Sequence, residues 1–172
     1  MRIYPKLIPA MARDIVQVLT KDGDIEVLPE SMDAAREDFA SIIRQYQVQE
    51  ENITGDAKTL LIRRNWPRSK LAEAKRIVAA QRRFPVGDDG VDFIINQMLE
   101  FMFMTSNIEE VYAQDHTMRK KIVTVLRKYF KIDEEVDKEV RSKLKHLQEG
   151  TSDWEIQYKR VLEQVRRRKG LL

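Results

Sequence analysis

The sequence predicts an all-helical protein in which a four-helix bundle base carries two protruding arms, each a hairpin of two helices. Apolar residues recur at the three-and-four spacing of a helix, not in the strict alternation of a strand. The six glycines and five prolines fall mostly between these periodic segments. Two long stretches of the chain also resemble one another, which indicates a duplicated unit.

The first half of the chain predicts three helices. Pro9 suits a first helical turn and opens a helix that ends near residue 19, after which the loop "KDGDIEVLPE" follows. A long periodic segment then occupies residues 31–64. The Trp66-Pro67 step ends this segment and starts a third helix, which reaches residue 84.

The second half predicts the same order of elements. "FPVGDDG" is a loop in which Asp88 or Asp89 can cap the next helix, "VDFIINQMLEFMFM". Because this helix is apolar on nearly every face, we expect it at the centre of the base, with its methionines in the core. A long helix follows over residues 115–148, and Ser152 and Glu155 have the capping-box spacing that predicts the start of the last helix.

The internal resemblance is clearest when residues 25–62 are aligned without a gap to residues 108–145. The flanks extend it, because "KRIVAAQRR" from Lys75 matches "KRVLEQVRR" from Lys159. Any two amphipathic helices can be slid until their apolar stripes coincide, but three blocks that recur in the same order favour duplication. The identical pairs are Ile25/Ile108, Glu26/Glu109, Arg36/Arg119, Arg44/Arg127, Tyr46/Tyr129, Glu51/Glu134 and Leu61/Leu144.

The lengths of the two long helices predict the shape. A helix over residues 31–62 would be about 48 Å long, whereas a compact body of this chain length has a radius of gyration of about 16 Å. The long helices must therefore protrude or bend. We assign residues 1–50 and 86–131 to the base, 51–85 to the first arm and 132–172 to the second. In the second arm we expect a seam of Val136, Val140, Leu144 and Leu147 against Trp154, Tyr158, Val161 and Val165.

Three stretches of the sequence carry a family resemblance. The opening "MRIYPKLIPAMARDIV", the middle "GDDGVDFIINQMLEFM" and the final run "EEVDKEVRSKLKHLQEGTSDWEIQYKRVLEQVRRRKGLL" resemble the bacterial domain of unknown function 507 family, over essentially the whole chain. The resemblance implies an all-helical, Y-shaped fold with pseudo-twofold internal symmetry. The family has no established activity, so the resemblance implies no catalytic residue.

The composition excludes several kinds of site. The chain has no cysteine, which rules out disulfides and thiolate sites, and its two histidines, His116 and His146, lie far apart. There is no GxGxxG or GxxxxGK phosphate-binding pattern. We therefore predict no cofactor, no metal and no enzymatic activity; an enzyme that used the acidic loop would need a metal at Asp88, Asp89 and Asp92. No apolar run approaches a membrane span, so we expect a cytoplasmic protein.

Charge is distributed unevenly along the chain, although the net charge is only +3. Residues 58–83 contain nine basic residues and one acid, and residues 159–169 contain six basic residues and one acid. Residues 86–115 contain seven acids and no lysine or arginine. We therefore expect basic arms on a partly acidic base.

These features favour a non-enzymatic scaffold or adaptor, whose two hinged arms engage an unidentified protein partner. The alternative is a nucleic-acid or ribosome-associated protein that uses the basic arm surfaces, because each phosphate that binds an arginine releases counterions. Neither hypothesis involves a membrane. The candidate contact residues are Arg76, Arg82, Arg83, Glu149, Gly150, Trp154, Arg160, Arg166 and Arg167.

Overall fold

The computed structural model describes residues 2–172, which are mostly helical. This confirms the predicted all-helical class. Short 3-10 turns occupy Pro5–Leu7, Pro29–Ser31 and Arg68–Lys70. The α-helices of this part of the chain are α1 (Ile8–Lys21), α2 (Met32–Arg63), α3 (Leu71–Gln81), α4 (Asp88–Met102), α5 (Asp115–Lys143) and α6 (Ser152–Arg168).

A two-stranded antiparallel sheet, which the sequence analysis did not predict, joins the two halves of the chain. Strand β1 (Ile25–Glu26) pairs with β2 (Glu110–Val111), so that Ile25 lies opposite Val111 and Glu26 opposite Glu110. The Asp24 carbonyl extends the contact by accepting bonds from the amides of Tyr112 and Ala113 at 2.9 and 3.1 Å. Strands of two residues are too short to show an alternating pattern.

The main hydrophobic cluster is built by α1, α4 and the N-terminal halves of α2 and α5. Met98 and Met102 of α4 are buried in it, as predicted, but Met104 is 80% exposed and Phe103 is 68% exposed. These two residues follow the end of α4 at Met102, so the apolar stripe of the helix does not include them. The fully buried residues of this cluster include Ile15, Leu19, Phe39, Ile43, Ile94, Ile95, Ile122 and Leu126.

Two smaller clusters lie beyond the main one. In the first helix pair, α2 with α3, the buried residues are Ile53, Ala57, Leu61, Ala74, Val78 and Ala79. In the second helix pair, α5 with α6, they include Val136, Val140, Leu144, Trp154 and Val165, which confirms the predicted seam. Tyr4 and Leu171 also pack into the second cluster, and the sequence analysis missed both.

The helix starts differ in detail from the predicted caps. Gly87, at φ 67° and ψ −135°, precedes α4, and Asp88 and Asp89 lie in its first turn without making a capping bond. The N-cap of α6 is Thr151, whose hydroxyl accepts a bond from the Trp154 amide at 3.3 Å. The N-cap therefore lies one residue before Ser152, the residue predicted from the sequence.

Close packing of α2 against α4 depends on Gly90. The Tyr46 ring stacks on Phe84 with 5.1 Å between centroids, and its hydroxyl donates to the Pro85 carbonyl at 3.0 Å. Burial raises the pKa of this hydroxyl. A Cβ at Gly90 would overlap the Tyr46 hydroxyl oxygen and lie 2.8 Å from its ring carbon Cζ. Only glycine leaves room for the ring at this point.

We expect Gly90→Ala to destabilise the fold by about 1–3 kcal/mol, because the added methyl group overpacks a buried ring. Urea unfolding measures this change. Gly55→Ala is the matched control, since a Cβ at Gly55 in α2 meets nothing within 4 Å, and alanine in a helix is favoured over glycine by about 0.5–1 kcal/mol. Equal stability of the two variants would show that Tyr46 moves aside without cost.

Candidate functional site

A cleft of about 1300 Å³ lies between the two helix pairs. One wall consists of α2 and the segment that leads into α3, and the other consists of α5 and α6. Leu61, Ile62 and Leu71 line the first wall, and Val136 and Leu162 line the second. The side chain of Ile62 is 81% exposed. The cleft therefore offers apolar surface from both pairs.

An ion pair closes the outer end of the cleft, where α6 begins. The Arg68 Nη1 atom lies 3.1 Å from Glu155 Oε2, and the guanidinium also lies over the Tyr158 ring, 5.1 Å from its centroid. Among the ion pairs of residues 2–172, this one alone joins the first pair to the second. We call this contact the clasp.

Tyr158 holds the clasp in place through contacts within the second pair. Its hydroxyl donates to Asp137 Oδ1 at 2.5 Å, and its ring stacks on Trp154 with 4.9 Å between centroids. Burial and the Asp137 carboxylate raise the pKa of Tyr158 to about 12. The ring therefore stays neutral at physiological pH and presents a fixed face to the Arg68 guanidinium.

At the inner end of the cleft, the lining residues Arg2, Asp133 and Arg166 contact Tyr4, which is buried in the cluster of the second pair. The Tyr4 hydroxyl donates to Asp133 Oδ1 at 2.8 Å. The guanidinium carbons of Arg2 and Arg166 each lie 5.5 Å from the centroid of the Tyr4 ring. Burial and Asp133 raise the pKa of the Tyr4 hydroxyl, and Arg166 partly opposes this rise.

The cleft is lined by equal numbers of acidic and basic side chains. Its acids are Glu50, Glu51, Asp133, Asp137, Glu155 and Glu163, and its bases are Arg2, Lys58, Arg68, Lys75, Lys159 and Arg166. Glu50 is 6% exposed and pairs with Lys75, which lies across the first pair. A ligand in the cleft would therefore meet both signs of charge along its length.

Of the nine contact residues predicted from the sequence, only Arg166 lines the cleft. Trp154 is 6% exposed and fills the seam of the second pair. Arg167 pairs with Glu163 at 2.6 Å, and Glu149 with Arg141 at 2.5 Å. An acid of this chain therefore already pairs with Arg167, and a base already pairs with Glu149.

The remaining predicted residues lie on the outer surfaces of the helix pairs. Arg82 pairs with Asp56 of α2. Gly150 is exposed in the turn before α6, with φ 87°. Arg76, Arg83 and Arg160 are exposed, and in the described chain none of them takes part in an ion pair.

The sequence analysis missed both ends of the cleft. Arg68 was counted only as part of a basic run, and its partner Glu155 is 87 residues away. Tyr4 and Asp133 are 129 residues apart. No local pattern connects residues at such separations, so neither contact could be predicted from the segment that contains its residues.

Comparison with known proteins places this chain in a family. Residues 1–171 match the family model described as "Protein of unknown function (DUF507)". The chain belongs to the DUF507 family. This confirms the resemblance carried by the sequence. No curated protein matches the chain.

Two further observations concern residues 2–172. None of their helices combines the length and apolar character that crossing a bilayer requires. Within this part of the chain, no three histidine, aspartate or glutamate side chains lie together in a group that could hold a metal ion. Asp88, Asp89 and Asp92 therefore do not form such a group. The cytoplasmic location remains a prediction.

We expect Arg68→Ala to separate the helix pairs. The exposed ion pair contributes up to about 1 kcal/mol and the cation–π contact about 0.5–1 kcal/mol, so the ratio of open to closed molecules should rise by roughly tenfold. Because the chain has no cysteine, spin labels at Ala72→Cys and Ser142→Cys report the distance between pairs without background.

Arg76→Ala is the control for this measurement, since Arg76 lies on α3, which follows the turn that contains Arg68, and belongs to no ion pair within residues 2–172. The Arg68→Ala distance distribution should shift to longer values and broaden, while the Arg76→Ala distribution matches the parent chain. Identical distributions for the two variants would show that the clasp does not hold the pairs together.

Proposed function

We propose that this protein is a non-enzymatic adaptor that holds a protein partner in the cleft between two hinged helical arms. In this proposal the first pair is one arm, the second pair is the other, and a four-helix base supports both in a Y shape. The observation that carries the proposal is a cleft lined by both arms and closed at its outer end only by the clasp.

The three hydrophobic clusters support this division of the chain. The main cluster draws its buried residues from 1–50 and 86–131, the proposed base. The first pair contributes a cluster over 51–85, and the second pair contributes one over 132–172. Tyr4 is the exception, because the start of the chain packs into the second arm.

The register of the small sheet supports an internal repeat. The sequence alignment relates each residue of the first unit to the residue 83 positions later in the second. Exchanging the units in this way turns the paired residues Glu26 and Glu110 into Glu109 and Val27. That is the next antiparallel pair of the same register. A twofold axis through the sheet, relating two duplicated units, would require such a register.

The construction of each arm supports movement. One hydrophobic seam holds each pair together, so most of each helix surface remains in water. The clasp is worth only about 1–2 kcal/mol, from one partly exposed ion pair and one cation–π contact. Opening the arms therefore requires little free energy, and a partner that contacts both walls can replace the clasp.

The charge of the cleft favours a protein over a nucleic acid as the partner. A phosphate backbone carries only negative charge and would face the carboxylates of Glu51 and Asp133, which line the cleft and take part in no ion pair within residues 2–172. A protein surface carries both signs together with apolar side chains. The mixed lining, with exposed Ile62 among charged residues, suits such a surface.

A photo-crosslinker placed inside and outside the cleft tests the proposal in cells. Ile62 and Ile156 are matched positions, since both are exposed isoleucines, at 81% and 64%, and only Ile62 lines the cleft. With benzoylphenylalanine at Ile62 we expect one dominant protein adduct, identified by mass spectrometry. The same substitution at Ile156 should not give that adduct.

Comparing the adducts from the two positions shows whether the partner lies in the cleft. Identical adducts from both positions, or none from Ile62, would contradict a partner held in the cleft. Purified partner and adaptor should then bind with a stoichiometry of one cleft to one partner. Arg68→Ala should alter the affinity for that partner, because the clasp must open before the partner enters.

Nucleic-acid binding is the second candidate, and one observation favours it. Arg76, Arg83 and Arg160 are exposed and take part in no ion pair within residues 2–172. If they contact phosphates, labelled RNA or DNA should bind at about 50 mM salt and be released near 200 mM. The triple Arg→Gln variant should then lose binding, with a shallower salt dependence. Fluorescence anisotropy measures both; no binding at either salt would dismiss this candidate.

A further inference from the structure

We infer that the inner end of the cleft is a carboxylate-binding site formed by Arg2 and Arg166 beside Tyr4. Its ligand is an acidic side chain of the partner, presented between apolar residues. This inference rests on the proposed function, because it names the chemistry of the segment that enters the cleft.

The two guanidinium groups contact the same buried ring. Each guanidinium carbon lies 5.5 Å from the centroid of the Tyr4 ring, so the two are at most about 11 Å apart. Tyr4 is 2% exposed, and its hydroxyl bond to Asp133 fixes the ring.

The charge of each arginine contacts the face of the Tyr4 ring but has no acidic partner in the described part of the chain. The Nε atoms of Arg2 and Arg166 are buried and make no hydrogen bond. Within residues 2–172 neither side chain takes part in an ion pair, and neither comes within ion-pair distance of Asp133, whose carboxylate accepts from Tyr4. Two guanidinium groups that line a cleft are therefore incompletely bonded.

A bound carboxylate would supply the hydrogen-bond acceptor and the negative charge that the two guanidinium groups lack. A buried donor without a partner is destabilising, and a carboxylate accepts the paired N–H groups of a guanidinium in a fixed geometry. The free protein thus holds two donors in position for a negatively charged, planar acceptor.

Internal ion pairs leave the cleft with an excess of positive charge. Four of its six acids are paired with bases of this chain: Glu50 with Lys75, Asp137 with Arg141, Glu155 with Arg68, and Glu163 with Arg167. Only two of its six bases, Arg68 and Lys75, are paired in this way. The unpaired charges are Arg2, Lys58, Lys159 and Arg166, against Glu51 and Asp133.

This excess of two positive charges identifies the occupant as a mildly acidic protein segment. Apolar side chains on both walls, including Ile62 and Leu162, would contact the residues on either side of the acid. A polymer with a phosphate on every unit would instead place repeated charges against Glu51 and Asp133. The inference therefore commits to a carboxylate of a peptide.

Side-chain NMR of the isotopically labelled full chain tests this site without knowledge of the partner. The probes are a short blocked peptide with one glutamate between leucines, its glutamine counterpart at equal ionic strength, and inorganic phosphate. Nε–Hε signals of Arg2 and Arg166 should shift saturably with the glutamate peptide. The Arg36 signal is the internal control, because its Nε is also buried and unbonded but lies outside the cleft.

The glutamate peptide should bind at least about tenfold more tightly than the glutamine peptide, as expected when a charge-assisted bond of about 1.5–3 kcal/mol is lost. Arg166→Gln and Arg2→Gln should each abolish this preference. Arg160→Gln should keep it, since Arg160 lies on the same helix as Arg166 and outside the cleft.

Three results would overturn the inference: equal affinity for the two peptides, an equal shift of the Arg36 signal, or tighter saturable binding of inorganic phosphate than of the glutamate peptide. The last would assign the site to a phosphate-bearing ligand. Crosslinking at Ile62 does not depend on either arginine. A specific adduct there, together with equal peptide affinities, would remove the carboxylate site and leave the adaptor proposal standing.

Discussion

Two continuous helices that extend beyond the main cluster determine the rest of the structure. Helix α2 contributes Phe39 and Ile43 to the main cluster and, further along the same helix, Ile53 and Ala57 to the first pair. Helix α5 does the same for the second pair. A helix rises 1.5 Å per residue, so 32 residues span about 48 Å and pass well beyond one core. The cleft exists because both helices leave the main cluster and each acquires one companion helix.

Polar residues mark the places where the long helices leave the main cluster. Glu50 of α2 is nearly buried and pairs with Lys75, and Asp133 of α5 accepts the Tyr4 hydroxyl. A buried ion pair recovers little more than the cost of desolvating its charges, so it adds little stability, but breaking it is costly. The Glu50–Lys75 pair therefore fixes the orientation of α3 on α2 more than it strengthens the fold.

The features that could be predicted from the sequence are those that depend on the spacing of residues within one segment. The helices and the seam of Val136, Val140 and Trp154 follow from a periodicity that each segment carries by itself. The two-residue strands and the one-residue shift of the cap to Thr151 do not, because neither leaves a periodic signal. Runs of basic residues drew attention to Arg82 and Arg167, yet acids on neighbouring turns or helices pair with both. The cleft ends join residues far apart in the chain, which no local pattern could reveal.

Differences between the two proposed repeats explain why Lys159 and Arg166 of the second helix pair lack the ion pairs that the corresponding residues of the first pair make. With the repeats aligned, Glu50 and Lys75 correspond to Asp133 and Lys159. Glu50 pairs with Lys75. Asp133 instead accepts a hydrogen bond from the Tyr4 hydroxyl, and Lys159 has no ion-pair partner within residues 2–172.

The same comparison accounts for Arg166. Arg82 and Asp56 correspond to Arg166 and Glu139, and the first two pair with each other. Glu139 instead binds Arg168, which leaves the Arg166 guanidinium over the Tyr4 ring. The second helix pair, where the N-terminal segment packs, thus lacks two ion pairs whose counterparts are present in the first pair. A partner that binds the cleft would therefore meet two chemically different walls and bind in one orientation.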